Sequence, residues 1–492
     1  MVGAWFETGL LSLRLRQALL ATNGYRKPGA RLRALLATLL FAASLAAGTA
    51  SAGDALPVAP AQLEAGYWIA KLPDAERVVL DAEAIAARNA ALPRLEPSWH
   101  DLAALPAALD RDVVRAWIEK LSAPPTRALY AEDGHALTAG ELASLRESLA
   151  LDAIPDRVPV NFALVVQRAA LRTFPSTQRV FSKPGDVDID RFQESALFPG
   201  TPVAMLHASR DGRWRFVVAP NYAAWIQADA LAEGARGDVL GYAERQPQLV
   251  VTGGGVRTAF DPSRPALSQL PLDMGTHLPL LADWPRDEAV SGQAPYAAWV
   301  VSLPTRDANG RLQLVPALIP RGQDARIGDL PLSRANLLRQ AFKLLGERYG
   351  WGHDYAGRDC SGFLSDVFAT FGVRMPRNTG DQAKSPVFEH QSFDAAASRE
   401  ARMRAVAALR VGDLVYIPGH VLMVVGFEHG EPWVIHDVQG VGVRDGDALR
   451  RIPLNGVSVT PLLPLRFDAG HDYIDRMTVV VHPLAPLPAG AH

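Results

Sequence analysis

Cysteine is almost absent from this chain: its 492 residues contain only one, Cys360. One cysteine cannot form a disulfide within the chain, which excludes the paired-cysteine frameworks that many exported proteins use. The residue is therefore either a small buried hydrophobe or a reactive thiol. It lies in the stretch Arg358 to Phe363, where a loop leads into an apolar helix. Because the N-terminal end of a helix favours a thiolate, we interpret Cys360 as a nucleophile.

The chain also lacks an excess of either charge. Its 50 basic and 52 acidic residues give a formal charge of −2 and a pI near 6.6. This balance excludes a general attraction to nucleic acid. A hydrophobic content of 48% is ordinary for globular protein, and the length predicts several domains rather than one core.

Long hydrophobic runs are absent except for one, Ala34 to Ala47, which follows Arg31 and Arg33 and leads to Ala50-Ser51-Ala52. This pattern predicts a signal peptide, residues 1–52, with cleavage after Ala52. An uncleaved membrane anchor is the alternative, and the absence of a nearby cysteine excludes a lipoprotein. Cleavage would leave an exported chain of net charge about −7, in the periplasm or cell envelope, with no stable membrane anchor.

The chain before Cys360 divides into three predicted parts. Residues 53–157 read as a helical stabilising or clamp segment, with helices over 81–92 and 107–121 and a third that begins at the capping box Thr138–Glu141. From residue 158 the pattern becomes short strands. Two stretches share Tyr-Ala-Ala-Trp, at residues 222–225 and 296–299, which favours two copies of a small barrel, residues 158–245 and 246–325.

Residues 326–492 are predicted to form an α+β unit. A helix capped by Ser333 and the Cys360 helix come first, and strands over 413–417, 421–427, 433–438 and 477–481 follow. Helices followed by consecutive strands predict an antiparallel sheet. The sequence therefore brings Cys360 against a sheet that carries histidines.

Two of the twelve histidines lie in those strands. His420 begins an apolar strand after Pro418-Gly419, and His436 lies in the next strand, so they are candidates for base and orienting residue. His436 and Asp437 face opposite sides of a pleated strand, so only one can point at His420, and we favour His436. Paired His or Cys ligands are absent, so we expect no metal and no cofactor.

Six motifs in order carry a family resemblance. They are Tyr349-Gly-Trp-Gly, Asp359-Cys-Ser-Gly-Phe, Pro376-Arg-Asn-Thr379 with Gln382, Gly412-Asp-Leu-Val, Gly419-His-Val and Ile435-His436. Together they resemble the NlpC/P60 family of bacterial cell-wall cysteine peptidases, over residues 326–482. The preceding part resembles multidomain murein lysins of that family, in which a helical segment and two bacterial SH3-like barrels precede the catalytic domain.

The resemblance implies a papain-like core with Cys360 as nucleophile, His420 as base and His436 as orienting residue. It also implies that the bond between γ-D-glutamyl and diaminopimelate in peptidoglycan stem peptides is cut. Tyr349 matches the position near the oxyanion, and contacts with substrate polar groups are implied for Asp359, Ser361 and Thr379.

The expected partners are peptidoglycan or muropeptides, and we expect a monomer. Some relatives use the first barrel to select a free N-terminal L-Ala, so intact wall and released peptides both stay open as substrates. A thiol-dependent amidase or acyltransferase on the same core is one alternative function. An inactive wall-binding protein is the other.

Overall fold

The computed structural model describes residues 56–489, and from Leu56 onward the chain forms one compact unit. The predicted signal peptide, residues 1–52, lies outside the described residues. Within residues 56–489, no helix combines the length and the apolar character needed to cross a bilayer.

The N-terminal segment is helical, as predicted. Its helices are Ala65–Ile69, Ala82–Leu95, Arg111–Leu121 and Ala139–Ser148, and its strands are Val78–Leu80, Ala108–Asp110 and Tyr130–Ala131. Asp81 caps the second helix by accepting from Ala84 N–H, and the predicted capping box of Thr138 and Glu141 is confirmed. The third helix begins later than predicted because Ala108–Asp110 pairs as a strand with Arg157–Pro159.

This helical segment is divided between two hydrophobic cores. Trp68, Leu80 and Leu92 belong to the core of the C-terminal α+β domain. Val114 and Ile118, by contrast, belong to the core of the first barrel. The predicted clamp therefore consists of two pieces, one for each core, joined near residue 97.

The first barrel is built on a seven-stranded antiparallel sheet. Its strands, in spatial order, are Leu231–Gly234, Asn161–Val165, Pro202–Ala208, Trp214–Ala219, Tyr222–Gln227, Ala169–Arg172 and Gln193–Leu197. Val180–Phe181 pairs with Tyr130–Ala131 of the helical segment. Trp225 is fully buried in the core, and its indole Nε1 donates to Ser122 Oγ over 3.2 Å.

The second barrel is made of smaller sheets. Its strands are Gln248–Val251, Val256–Arg257, Pro271–Leu272, His277–Pro279, Ala298–Arg306, Leu312–Pro320 and Ala325–Ile327. The longest hairpin joins Ala298–Arg306 to Leu312–Pro320, with its turn at Asp307-Ala-Asn-Gly310.

The shared Tyr-Ala-Ala-Trp does not mark equivalent positions in the two barrels. In the first barrel it forms the second strand of a hairpin, Tyr222–Gln227, and its tryptophan is buried. In the second, Tyr296 lies in the 3-10 turn Pro295–Ala297, which the proline initiates, and Trp299 enters the first strand of a hairpin. Trp299 is half-buried and stacks on Arg321, 3.8 Å from its ring centroid. The repeat that suggested duplication therefore arises from two different local structures.

The C-terminal domain is α+β with an antiparallel sheet. Its helices are Arg334–Phe342, Cys360–Ala369, Thr379–Lys384 and Arg399–Ala408. The six-stranded sheet runs in the order Glu389–Ser392, Val479–His482, Leu414–Ile417, His420–Glu428, Glu431–Val438 and Gly456–Pro461. A separate hairpin pairs Val441–Asp445 with Ala448–Ile452. The sequence analysis missed the helix Arg399–Ala408, this hairpin and the strand Gly456–Pro461.

Candidate active site

Cys360 is the first residue of its helix, and the backbone changes from extended to helical conformation between Asp359 and Cys360. Asp359 has extended backbone, and its Oδ1 accepts from Gly362 N–H over 2.8 Å, which makes it the N-cap. Gly362 is required by a close approach, because a Cβ at that position would lie 2.5 Å from His353 Cε1. The local sequence thus places the sulfur at the open end of a well-capped helix.

His420 and His436 face each other across two paired strands. His420 Nε2 lies 2.9 Å from His436 Nδ1, and His436 Nε2 lies 3.1 Å from Thr460 Oγ1 on the next strand. All three side chains are buried. Thr460 was not among the predicted site residues, because only the strand order shows that it neighbours His436.

Asp437 does not take part in this chain of hydrogen bonds. It is fully buried, and both of its carboxylate oxygens lack a hydrogen-bond partner among the described residues. Burial first, then the negative charges of Asp359 and Glu347, raise its pKa to about 9. The structure thus brings His436, rather than Asp437, to His420.

Cys360 lies against the start of the strand His420–Glu428. The N–H of Val421, the residue after His420, is hydrogen-bonded to the sulfur and by itself lowers the thiol pKa. Burial and the charge of Asp359 outweigh it and raise the pKa of Cys360 to about 12. Burial also lowers the pKa of His420 to about 4.

The expectation that the helix end would favour a thiolate is therefore wrong for this state. The sulfur is only 6% exposed, so the loss of solvation exceeds the stabilisation that helix amides give to a thiolate. Cys360 and His420 are both neutral when no substrate is bound.

Arg377 organises the polar side of the site. Its Nη2 donates to Asp359 Oδ2 over 2.7 Å, Nη1 donates to Ser361 Oγ over 3.0 Å, and Nε donates to Ser195 Oγ of the first barrel over 2.6 Å. Burial opposes ionisation of Asp359, but the Arg377 charge holds the pKa of that carboxyl below its usual range. Asp359 and Ser361 are thus both hydrogen-bonded to Arg377, and their contact with substrate stays a prediction. His353 is buried as well, and its Nδ1 lies 3.0 Å from Arg377 Nη2.

Tyr349 and Thr379, two further predicted site residues, lie in different environments. Tyr349 is buried, and burial together with the neighbouring Cys360 and Asp359 raises its pKa well above the usual value, so its hydroxyl keeps its proton. Thr379 is the half-buried first residue of its helix. That helix contacts the Cys360 helix through Gln382, whose Nε2 donates to Ser365 Oγ over 3.0 Å.

The first barrel lies along one side of the site. Trp351 Nε1 donates to Gln193 O over 3.0 Å, and Gln193 Nε2 donates to Gly352 O over 2.8 Å. Next to Gln193, Glu194 accepts from the Tyr222 hydroxyl and from Thr173 Oγ1, the latter over 2.6 Å. The charges of Arg377 and Asp359 act on the Tyr222 hydroxyl, so this carboxylate–phenol pair lies close to the mouth of the site.

Comparison with known proteins gives two family matches. Residues 179–227 match an SH3 domain of the SH3b1 type, and residues 346–449 match the NlpC/P60 family. The second range contains Tyr349, Cys360, His420 and His436. This chain carries an NlpC/P60 domain. The predicted family and multidomain fold class are thereby confirmed, whereas the exact domain boundaries stay predictions.

One solved structure shares its fold with most of this chain. An NlpC/P60 endopeptidase from Photobacterium damselae subsp. piscicida is 18% identical, with a TM-score of 0.68 over 86% of this chain and 97% of that chain. An NlpC/P60 family protein from Bacillus cereus ATCC 10987 is 19% identical, with a TM-score of 0.44 over 66% of this chain and 100% of that one. A search of curated proteins found no match. The first likeness extends well beyond the NlpC/P60 domain and supports the fold of the whole described chain.

The arrangement of His, Cys, Asp and Glu side chains bears on whether a metal ion could bind. Among residues 56–489 no group of three or more His, Cys, Asp or Glu is arranged to hold a metal ion. The reactive side chains of this site are the Cys360 thiol and the imidazoles of His420 and His436. Of the residues that the sequence analysis did not assign, Arg377 had a usable signal, because it lies in the motif Pro376-Arg-Asn.

Proposed function

We propose that this protein is an exported cysteine endopeptidase of the periplasm or cell envelope that hydrolyses peptidoglycan stem peptides at the γ-D-glutamyl–diaminopimelate bond. The observation that carries the proposal is Cys360 at a helix start, beside a hydrogen-bonded row of His420, His436 and Thr460, inside an NlpC/P60 domain. The resemblance to cell-wall peptidases supplies the substrate class, and the predicted signal peptide supplies the export.

The hydrogen bonds that join His420, His436 and Thr460 can run in one donor-to-acceptor direction that leaves His420 able to act as a base. In that direction His436 Nε2–H donates to Thr460 Oγ1, and His436 Nδ1 accepts from His420 Nε2–H. His420 Nδ1 then carries the free lone pair that takes the thiol proton. Because the thiol pKa is raised and the imidazole pKa is lowered, the proton moves as the sulfur attacks, not before it.

The oxyanion formed by attack on the γ-glutamyl carbonyl has nearby donors. The first N–H groups of a helix have no intrahelical acceptor, and Asp359 occupies only that of Gly362. The protonated Tyr349 hydroxyl is a further donor beside the sulfur. His420 then protonates the departing amine of diaminopimelate, and the same residue activates water to release the acyl group.

The first barrel supports a preference for released peptides with a free N-terminal L-Ala. A protonated amine needs a carboxylate, and Glu194 with Tyr222 presents one beside Asp359 and Arg377. In an intact wall the same nitrogen is an uncharged amide, which cannot make this ion pair. Digestion of muropeptides with and without a free N-terminal L-Ala separates the two substrates.

The decisive experiment replaces the sulfur. Cys360→Ala is expected to abolish release of diaminopimelate-containing products while the melting temperature stays close to wild type, because the side chain is small. His420→Ala is expected to be as severe, and His429→Asn is its matched control, since His429 lies in the turn between the same two strands.

Mass spectrometry of the products identifies the cut bond and distinguishes hydrolysis from transfer to another amine. Cleavage that survives Cys360→Ala would disprove the scheme. Binding to purified cell wall without cleavage of any muropeptide would favour a wall-binding protein without activity.

A further inference from the structure

Arg191 stands between the first barrel and the nucleophile. It is half-buried, and its Nε donates to Ser182 Oγ over 2.7 Å. Its guanidinium carbon lies 5.7 Å from the ring centroid of Trp351, and its charge interacts with the hydroxyl of Tyr349. Tyr349 in turn interacts with the charge of Cys360, so only one side chain separates the guanidinium from the neighbourhood of the sulfur.

Arg191 differs from six other arginines of this junction in having no anionic partner among the described residues. Each of those six forms an ion pair with a carboxylate: Arg168 with Asp273, Arg172 with Asp190, Arg179 with Asp354, Arg348 with Asp188, Arg358 with Glu347 and Arg377 with Asp359. Within residues 56–489 no carboxylate lies at ion-pair distance from Arg191. The Asp186 charge reaches it more weakly, and Arg127 adds a second positive charge nearby.

A half-buried cation without a partner is unfavourable unless a ligand supplies the negative charge. The hydrogen bond of Nε to Ser182 and the cation–π contact with Trp351 hold the guanidinium in place, and within residues 56–489 neither of its terminal nitrogens forms a hydrogen bond. This is the preorganised fork that binds a carboxylate with two parallel hydrogen bonds.

The proposed substrate carries such a carboxylate next to the scissile bond. A γ-glutamyl linkage uses the side-chain carboxyl group, so the α-carboxyl group of that residue stays free and ionised. We propose that Arg191 binds this free α-carboxylate of the γ-D-glutamyl residue and thereby selects acidic over amidated stem peptides. The proposal rests on the function proposed above and adds the residue that determines specificity.

The test compares two synthetic peptides, L-Ala-γ-D-Glu-diaminopimelate and the same peptide with its glutamyl α-carboxyl group converted to a carboxamide. For the wild-type protein we expect kcat/KM to be about 10- to 150-fold higher on the acid, the range for hydrogen bonds to a charged group. Arg191→Met should lose this factor on the acid and change little on the amide. Arg191→Lys, which keeps the charge without the fork, should fall between them.

A purely structural role for Arg191 would lower both rates equally, and that result would overturn the proposal, as would equal cleavage of both peptides by the wild type. Arg213→Met is the matched control, since Arg213 is an exposed arginine of the same barrel, and it should keep the wild-type preference. Calorimetric binding of both peptides to Cys360→Ala separates this inference from the function. A preference for the acid that disappears on adding Arg191→Met supports Arg191 even if the wild type cuts neither peptide, and equal binding refutes it.

Discussion

The two barrels contact the NlpC/P60 domain in different ways. The first barrel meets it around the opening of the site, where Ser195 accepts from Arg377 and Gln193 exchanges hydrogen bonds with Trp351 and Gly352. The second barrel lies behind the Cys360 helix: Met274 joins the hydrophobic core, and a Cβ on Gly275 would lie 2.9 Å from Asp366 O of that helix.

This difference indicates separate roles for two units that a short shared sequence made look alike. Contacts of the first barrel end at residues beside the thiol, which is where the proposed function requires peptides to be selected. Contacts of the second barrel end at the scaffold of the helix, so they decide how firmly the helix is held. Specificity here depends on where a barrel is docked and on its loops more than on the barrel itself.

The largest expected effect is on stability, from Gly275→Ala in the second barrel. Gly275 has φ +81°, and the added Cβ would lie 2.6 Å from Ala369 Cβ. Overpacking and left-handed strain together should destabilise the protein by about 2–4 kcal/mol. Urea denaturation measures the loss, while kcat/KM per folded molecule should stay near wild type.

Gly292→Ala is the matched control, because it has the same φ of +81° in the same barrel with nothing within 4 Å of the new Cβ. It should show the backbone strain alone. A Gly275→Ala protein with normal stability and impaired catalysis would reverse the roles assigned to the two barrels.

A smaller effect, on activity, is expected from Gly352→Ala at the first-barrel contact. Gly352 has φ +59°, and its Cβ would lie 3.0 Å from Gln193 Cγ and from Glu194 O. Pushing the barrel away from the loop should lower kcat/KM about tenfold, as displacement of a positioning loop does, with a modest loss of stability.

Steady-state kinetics on the acidic tripeptide measures this change. The comparison variant is Gly185→Ala, at φ +75° in a first-barrel loop with no atom within 4 Å of the added Cβ. Equal losses in Gly352→Ala and Gly185→Ala would mean that strain, not the barrel contact, is responsible.

The last comparison concerns Asp437, which belongs to neither barrel and whose contribution to stability depends on pH. With its pKa raised to about 9, the native protein keeps the proton that the unfolded chain releases near pH 4. Wild-type stability therefore falls as pH rises from about 4 to about 9, because the unfolded state binds fewer protons. Asp437→Asn does not titrate, so its stability relative to wild type should rise steadily from pH 4 to pH 8, and a native pKa of about 9 sets about 5 kcal/mol as the upper limit of that rise.

Urea denaturation of both proteins at pH 4, 6 and 8 measures this difference. Any other group titrates in both proteins and cancels. A constant difference across that range would show that Asp437 is ionised in the native state or that packing alone accounts for the change.

Much of the catalytic scaffold could be predicted from local sequence. Apolar spacing after Cys360 predicted the helix, and its observed span is Cys360–Ala369. Alternating and β-branched residues predicted the strands around His420 and His436, which form two neighbouring strands of one sheet. Periodicity, caps and turn residues act within a few positions, so the sequence alone is enough to reveal them.

The rest of the site depends on contacts between distant residues. Parity separates His436 from Asp437, but only the packing of the sheet tells which face meets His420. The thiol pKa is raised by burial and by Asp359, and burial is a property of the assembled fold. Arg191 and Ser195 come from another domain. The Tyr-Ala-Ala-Trp match misled in the opposite way. The same four residues occur in both barrels but take up different local structures in each.

Trp68 has a consequence for how this enzyme can be handled and how it can evolve. Its ring lies over Gly426 and beside Trp433, at 5.6 Å between centroids, while Arg88 Nη1 holds the carbonyl of Pro483 at 2.8 Å. A fragment that begins at residue 326 would expose the apolar surface that Trp68 covers on the sheet, and its C-terminal segment would lose the hydrogen bond from Arg88. We expect such a fragment to aggregate in solution. The segment that carries Trp68 and Arg88 is therefore part of the packed structure of the C-terminal domain, and a fusion protein that uses this domain has to include that segment.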